Sequence, residues 1–301
     1  MTEDEATGQA ADPATDIFSE LRPLLFTVAY ELLGIAADAE DVLQDSWLRW
    51  AEVDPTSVRD PKAYLVRTVT RQALNRMRTT QRRRESYVGP WLPEPLLTVP
   101  DVAEDVELAE SVSTAMLVVL DSLSPLERAV FVLKDVFAFE YDEVAASLGR
   151  TPAAVRQLAH RAREHVRARR PGSSTGAEAA TVGAAFFTAV ATGELQGLMD
   201  LLAPDAVLLS DGGGKKSAAL RPITGADKIA RFLVGIRSTN EHFTADWLMV
   251  NGAPAVLVSL DGAPDSVFSA RVHEGRVVEL FVVRNPDKLA GLGTQHVLSR
   301  G

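Results

Sequence analysis

The sequence predicts a multidomain protein in which two all-α units precede one α+β unit. Apolar residues recur at intervals of three and four in the first two units, which is typical of amphipathic helices. In the third unit a helical segment is followed by strand-like runs such as "AVLVSL" and "RVVELFVV". Two stretches rich in Pro or in Gly and Ser separate the units. The predicted bounds are an acidic tail at 1–13, a first unit at 14–85, a linker at 86–106, a second unit at 107–170, a linker at 171–176, a third unit at 177–290 and a tail at 291–301.

Composition excludes several classes of protein. The chain has no cysteine, which excludes disulfides and thiolate metal sites and is compatible with a cytoplasmic protein. Its five histidines show no ligand spacing, so we expect no metal and no cofactor. No apolar run approaches the length of a membrane span, and the acidic N-terminus lacks the apolar core of a secretory signal.

The first unit reads as three successive helices. Gly34 ends the first helix, Asp38 is a plausible N-cap of the second, and Asp60 followed by Pro61 begins the third. Between Pro61 and Arg84 the chain has eight lysines and arginines and no acid, although the whole chain has 41 acidic against 31 basic residues. A merely solvated helix normally mixes both signs. Nucleic-acid phosphate is therefore the favoured partner, because each carboxylate would weaken the attraction.

The second unit contains the pattern of a helix-turn-helix. Ser124 and Glu127 predict a capping box at its first long helix. Gly149 closes a short helix, and Thr151 then caps a basic helix that reaches residue 170. A basic helix of this kind fits the major groove. The alternative is a protein-binding hairpin with a solvated basic face, but turn, caps and charge together favour DNA.

Two dipeptides in the third unit predict β-hairpin turns. The dipeptides at 251–252 ("NG") and 274–275 ("EG") lie between strand-like runs and predict two-residue turns. "DGGGKK" is glycine-rich, but it does not match the spacing of a phosphate-binding loop.

At this point the sequence resembles a known family, the bacterial extracytoplasmic-function sigma factors. "AEDVLQDSWLRW" followed by "DPKAYLVRTVTRQALNRMR" is similar to their region 2, and "LDSLSPLERAVFVLKDVFAFEYDEVAASLGRTPAAVRQLAHRARE" is similar to their region 4. The third unit resembles the SnoaL-like cone domain that one group of them carries as a C-terminal extension. Three short sequence motifs of that group are present intact, namely "WLPEP" at 91–95, "DGGGK" at 211–215 and "NPDKL" at 285–289.

The resemblance implies a sigma factor, not an enzyme, with core RNA polymerase and promoter DNA as partners. Region 2 would bind polymerase and recognise and melt the −10 element, and region 4 would bind the −35 element. The residues matched to polymerase binding are Asp41, Gln44 and Asp45. Those matched to DNA binding are Trp50, Asp54, Lys62, Arg67, Arg71, Asn75, Arg76 and Arg78 in region 2, and Arg156, Gln157, His160, Arg161, Arg163 and Arg167 in region 4.

We expect the third unit to regulate the other two in cis. In this hypothesis "DGGGK" and "NPDKL" form one patch that docks region 2 and the "WLPEP" linker, which sets how far regions 2 and 4 can separate. The residues concerned are Trp91, Leu92, Pro93, Glu94 and Pro95, then Asp211, Gly212, Gly213, Gly214 and Lys215, then Asn285, Pro286, Asp287, Lys288 and Leu289.

Two other functions stay open at this point. The chain is alternatively a one-component DNA-binding regulator whose cone binds a small ligand. It is alternatively a SnoaL-like enzyme, in which an acid–base pair would come from Asp211, Lys215, His242, His273 and Asp287.

Overall fold

The computed structural model describes residues 12–99, 105–169, 176–238 and 243–301. It confirms the predicted fold class, because two helical units precede a unit built on a mixed sheet. Arg170, His242 and most of the 171–176 linker lie outside the described residues.

The first unit consists of three helices whose ends follow local sequence signals. Gly34 ends α1 in the left-handed conformation at φ 71°, and the Asp60 carboxylate accepts the Ala63 amide at 3.0 Å to begin α3. The prediction that Asp38 caps α2 was wrong, since the cap position is Ile35 and Asp38 lies in the first turn. The bounds are α1 Pro13–Leu33, α2 Ala36–Trp50 and α3 Pro61–Glu85, with a short 3-10 turn at Pro55–Ser57.

The second unit carries the predicted helix-turn-helix. Ser124 and Glu127 form the expected capping box, and Gly149 ends the first helix of the motif at φ 62°. One hydrophobic cluster runs through both helical units, so they pack against each other around a shared core. The bounds are α4 Val106–Val112, α5 Thr114–Asp121, α6 Pro125–Phe131 continuing as a π-turn at Val132–Val136, α7 Tyr141–Leu148 and α8 Pro152–Arg169.

The third unit is a mixed sheet with one apolar cluster shared with its first three helices and a second cluster that includes Leu92 of the linker and Leu289. Both predicted turns are confirmed, because Asn251 (φ 54°) and Glu274 (φ 48°) each precede a left-handed glycine. The helices are α9 Gly176–Thr192, α10 Leu195–Leu201, α11 Ala226–Ser238 and α12 Pro286–Leu289. The strands are β1 Leu97–Thr98, β2 Leu202–Asp211, β3 Ile223–Thr224, β4 Phe243–Val250, β5 Ala253–Leu260, β6 Ala263–His273, β7 Arg276–Val283 and β8 Gln295–His296.

The sheet extends beyond its own unit. Within the described residues its strand order is β3-β2-β7-β6-β5-β4-β1-β8, and β1 comes from the first linker. Leu97 pairs antiparallel with Val250 and parallel with Gln295 of the C-terminal tail. The linker therefore contributes a strand of its own, β1, which forms because the edge strand β4 offers unpaired backbone groups.

Candidate functional site

The predicted polymerase-binding residues share one face of α2. Asp41, Gln44 and Asp45 are exposed and follow the helical spacing of three and four. Leu48 continues the same face and is 57% exposed, which is high for a leucine. The face therefore presents acid, amide and apolar groups together.

The predicted DNA face of α3 is turned toward the second unit. Arg71 donates from Nε to the Ser147 carbonyl at 3.0 Å and from Nη2 to the Ala146 carbonyl at 3.1 Å. These carbonyls belong to the last turn of α7, whose orphan acceptors need donors. Asn75 and Arg78 line the same cleft as Arg71. Arg71 is thus committed to a contact between the two units.

The neighbouring basic residues of α3 are arranged differently. Arg76 contacts α2, where its Nη2 lies 2.7 Å from Asp38 and 2.6 Å from Asp41. The Arg67 guanidinium lies 5.4 Å from the Tyr64 ring centroid, and Lys62 is exposed. In this structure Arg76 therefore holds α3 to α2 and does not lie with the DNA face.

Trp50 lies in the core, not at a DNA surface. Its side chain is 0% exposed, and its indole N–H donates to the Ala14 carbonyl at 2.8 Å. This arrangement leaves no ring face for a base, so we correct its assignment to a core residue. Asp54 is exposed and caps the Pro55–Ser57 turn, where hydrogen bonds from Thr56 lower the pKa of its carboxyl.

The second helix of the helix-turn-helix presents a basic surface. Arg156, Gln157, His160, Arg161 and Arg167 are exposed on α8. Arg163 is half-buried, and its Nε lies 2.7 Å from Asp135. Two of the exposed residues also have partners, since Arg161 pairs with Glu127 and Arg156 lies over the Tyr141 ring.

The structure brings all three short motifs into one contact. The fully buried Asp211 accepts hydrogen bonds from the Tyr87 hydroxyl at 2.5 Å, the Leu92 amide at 2.9 Å and the Lys288 ammonium at 2.7 Å. Lys288 also donates to the Leu92 carbonyl and lies 3.4 Å from the Trp91 ring centroid. We name Asp211–Lys215 together with Asn285–Leu289 the docking patch.

The glycines of the docking patch permit this close approach. Gly213 has φ 61°, and a Cβ there would lie 2.4 Å from the Asn285 amide nitrogen. A Cβ on Gly212 would lie 2.2 Å from the Lys216 carbonyl oxygen, while Gly214 faces Val88 of the linker. Asn285 in turn donates to the Tyr87 hydroxyl at 2.8 Å.

Lys215 and Asp287 form the exposed margin of the docking patch. Their charged groups approach to 2.6 Å. Both side chains are more than half exposed, so this pair adds little stability compared with the buried pair beside it.

Glu94 links the same linker to the first unit. Its buried carboxylate accepts the Ala36 amide at 2.8 Å, which caps α2 where Ile35 supplies no side-chain acceptor. Its backbone carbonyl accepts the Tyr30 hydroxyl at 2.6 Å. Burial raises the pKa of the Glu94 carboxyl, against the lowering effect of the backbone donors. The linker therefore completes the helix that carries the predicted polymerase face.

Asn251 makes a junction that the sequence analysis missed. Its amide nitrogen donates to the Tyr30 hydroxyl at 2.6 Å and to the Val112 carbonyl at 3.0 Å, and its Oδ1 accepts the Leu96 amide at 3.1 Å. One side chain thus touches the first unit, the second unit and the linker. The "NG" pattern signalled only the turn, and no local pattern signals these partners.

The C-terminal tail is also ordered against the helical units. His296 stacks on Phe26 with ring centroids 4.6 Å apart, and burial lowers the pKa of the His296 imidazole. Leu298 is buried in the helical core, and the Ser299 amide donates to Thr27 at 3.0 Å. The tail therefore lies along α1.

Of the candidate acid–base residues of the third unit, Asp211, Lys215 and Asp287 lie in the docking patch and His273 lies elsewhere. Asp211 is committed to the linker, and Lys215 pairs with Asp287. His273 lines a separate cleft whose described lining includes none of these three. His242 lies outside the described residues. In the described part of the chain, no three side chains of metal-binding type cluster, and no helix is long and apolar enough to cross a bilayer.

Comparisons with known proteins agree with this architecture. The family model "Sigma-70 region 2" matches residues 17–83, and "Sigma-70, region 4" matches residues 113–166. The chain is 40% identical over 291 residues to the ECF RNA polymerase sigma factor SigJ of Mycobacterium tuberculosis, covering 91% of this chain and 92% of the relative. It is 28% identical over 283 residues to the probable ECF RNA polymerase sigma factor SigI of the same organism, covering 92% and 95%.

A solved structure is similar over nearly the same length. The crystal structure of M. tuberculosis SigJ superposes with a TM-score of 0.76 and 35% identity, covering 92% of this chain and 99% of that one. These relatives are sigma factors, a class of transcription regulators and not of enzymes.

Proposed function

The chain belongs to the extracytoplasmic-function RNA polymerase sigma factors, and from this premise we propose that its third unit restrains promoter-specific initiation in cis. In this proposal core RNA polymerase binds the α2 face, and promoter DNA binds α3 and α8. The protein then acts in the cytoplasm, where promoters are found. The docking patch holds the linker and so limits the separation of the two DNA-binding units.

The contact between α3 and α7 carries the proposal. The −10 and −35 elements are about 25 base pairs apart, which is roughly 85 Å along B-DNA. Here Arg71 of α3 lies 3.0 Å from the Ser147 carbonyl at the end of α7. The two units cannot contact each other in this way and read both elements at once. The arrangement is therefore a closed state that must open for promoter binding.

The linker sets the reach of the opened state. It comprises the 20 residues between Glu85 and Val106, and an extended chain of that length spans at most about 70 Å. In the closed state Leu92 and Leu96 are tied to the third unit through Asp211 and Asn251. Each such tie shortens the segment available for separation, so releasing the linker favours the open state.

Transcription initiation in vitro tests whether the protein requires core polymerase and whether the docking patch restrains it. The full-length wild type is compared with Lys288→Met, which removes the buried cation from Asp211, and with Lys228→Met, which removes an exposed cation from α11 of the same unit. Removing one partner of a buried ion pair costs about 3–5 kcal/mol. We expect wild-type initiation to require core polymerase, Lys288→Met to initiate faster, and Lys228→Met to behave as wild type.

Two outcomes would contradict the proposal in different ways. Core-dependent initiation that is unchanged or slower in Lys288→Met would reject restraint by the docking patch. Sequence-specific DNA binding without any core-dependent initiation would favour a one-component regulator instead.

A further inference from the structure

The third unit contains an apolar cleft away from the docked linker. It lies between α9, α11 and the inner face of the sheet, and the space open to the centre of a water-sized sphere is about 80 Å³. Val190, Phe232, Leu260 and Phe268 are among its apolar walls. An apolar lining with a few polar groups at one end is typical of small-molecule sites.

One end of the cleft is polar and is centred on a buried carboxylate. Asp265, which is 5% exposed, receives the Arg284 guanidinium through two nitrogens, with Nη2 at 2.8 Å from Oδ2. The Lys216 ammonium reaches the same carboxylate at 3.0 Å. Arg284 is further fixed by donating from Nη1 to the Ser217 carbonyl at 2.6 Å. The site is therefore held in place before any ligand arrives.

Positive charge exceeds negative charge among the described side chains at this end of the cleft. Burial alone would raise the pKa of Asp265, but the hydrogen bonds and charges of Lys216 and Arg284 lower it, so the carboxyl is ionised. Among the described side chains at this end, two cations then share one anion, so positive charge exceeds negative charge there. The hydroxyls of Ser210 and Ser266 line the same cleft and are buried. An anionic group on an apolar body would satisfy both parts of the site.

We propose that this cleft binds a small hydrophobic carboxylate. Its apolar body packs against Phe232 and Phe268, and its carboxylate lies beside Arg284 and Lys216. Asp265 occupies the Nε and Nη2 edge of Arg284, so the ligand carboxylate accepts from the remaining guanidinium N–H groups and from the Lys216 ammonium in charge-assisted hydrogen bonds. The proposal goes beyond restraint in cis, because it assigns a ligand class to the third unit.

The residues proposed to bind the ligand carboxylate are adjacent to the docking patch. Lys216 directly follows Lys215, and Arg284 directly precedes Asn285. The Arg284 amide also donates to the Asp211 carbonyl at 2.7 Å. A ligand bound to Arg284 and Lys216 therefore contacts residues that are adjacent in sequence to both segments of the docking patch.

Calorimetric titration of the full-length protein tests the proposal with octanoate as the probe and 1-octanol as its neutral match. Lys216→Met keeps the apolar stem and removes the charge at a side chain that is 44% exposed. Val190→Phe fills the cleft, and Lys228→Met is the matched surface control. Wild type is expected to bind octanoate at least tenfold more tightly than octanol.

The variants separate the cleft from general hydrophobic binding. Lys216→Met is expected to weaken octanoate about tenfold without weakening octanol, Val190→Phe to weaken both, and Lys228→Met to change neither. The proposal is overturned if octanoate does not bind, if octanol binds equally well, or if Val190→Phe and Lys216→Met leave octanoate affinity unchanged. Melting temperatures of the variants identify any loss that comes from unfolding.

Discussion

Replacing Asn251 with glycine removes the side chain that joins the three units. Glycine accepts the local backbone, because Asn251 has φ 54° at the first position of a two-residue turn. The backbone amide of residue 251 still donates to the Leu96 carbonyl, so one backbone bond to the linker remains. What is lost is the set of side-chain bonds to Tyr30, Val112 and Leu96.

The magnitude follows from those three bonds. Each buried hydrogen bond contributes about 1 kcal/mol net, and the Val112 carbonyl and Leu96 amide are left without that partner. The closed arrangement is therefore expected to lose about 3 kcal/mol relative to the open one. Since about 1.4 kcal/mol corresponds to a factor of ten, the open population should rise on the order of a hundredfold.

Amide hydrogen exchange of the linker measures this shift directly. The Leu96 amide is protected by Asn251 in the closed state, so its exchange should accelerate on the order of a hundredfold in Asn251→Gly. Asp261→Gly is the matched control, because Asp261 also has positive φ (50°), precedes a glycine and is exposed. It should leave Leu96 exchange at the wild-type rate.

A small change in Leu96 amide exchange would refute this reasoning. If Leu96 exchanges no more than about threefold faster in Asn251→Gly while the protein stays folded, the junction does not hold the units together. Equal acceleration in Asp261→Gly would assign the effect to sheet flexibility instead.

Four further outcomes follow from other contacts. Gly213→Ala should lower the melting temperature and speed exchange of the linker, because its Cβ would meet the Asn285 amide at 2.4 Å; an unchanged melting curve would contradict this. Burial raises the pKa of Glu31 to about 7 from 4.5, so the folded state favours the protonated form and wild-type stability falls as pH rises between those values. Chemical denaturation at pH 5 and pH 8 should show that loss, about 3 kcal/mol, in wild type and not in Glu31→Gln; parallel curves would disprove it. Removing residues 294–301 should destabilise the protein by about 2 kcal/mol in denaturant titrations through loss of a buried leucine, and no change would show that the tail is dispensable. Asp45→Lys should weaken binding to core polymerase without changing the melting temperature, since Asp45 is exposed; undiminished binding would remove it from the polymerase surface.

Much of this fold was predictable because its signals are local. The capping box at Ser124 and the left-handed glycines Gly34 and Gly149 act over three or four residues. The turn at 251–252 depends on two residues whose backbone tolerates positive φ. Such features do not depend on which distant segment packs against them.

The tertiary structure decided the partners of those elements. Trp50 is buried because Ala14 lies beside it, and Arg71 contacts α7, which is more than 70 residues away in sequence. α2 begins at Ala36 and not near Asp38, because Glu94 supplies its cap from the linker. An aromatic, an arginine or a glutamate has the same local pattern whether it meets DNA, polymerase or another part of the chain.

Taken by itself, the sequence determined the helices, the turns, the order of the three units and the family resemblance, since these rest on spacing, caps and short motifs. Only the tertiary structure showed that Asp211 and Asn251 hold the linker and that α3 faces α7. Those contacts join residues up to 221 positions apart. Their formation depends on how the packed units present buried hydrogen-bonding groups to each other, which no local pattern encodes.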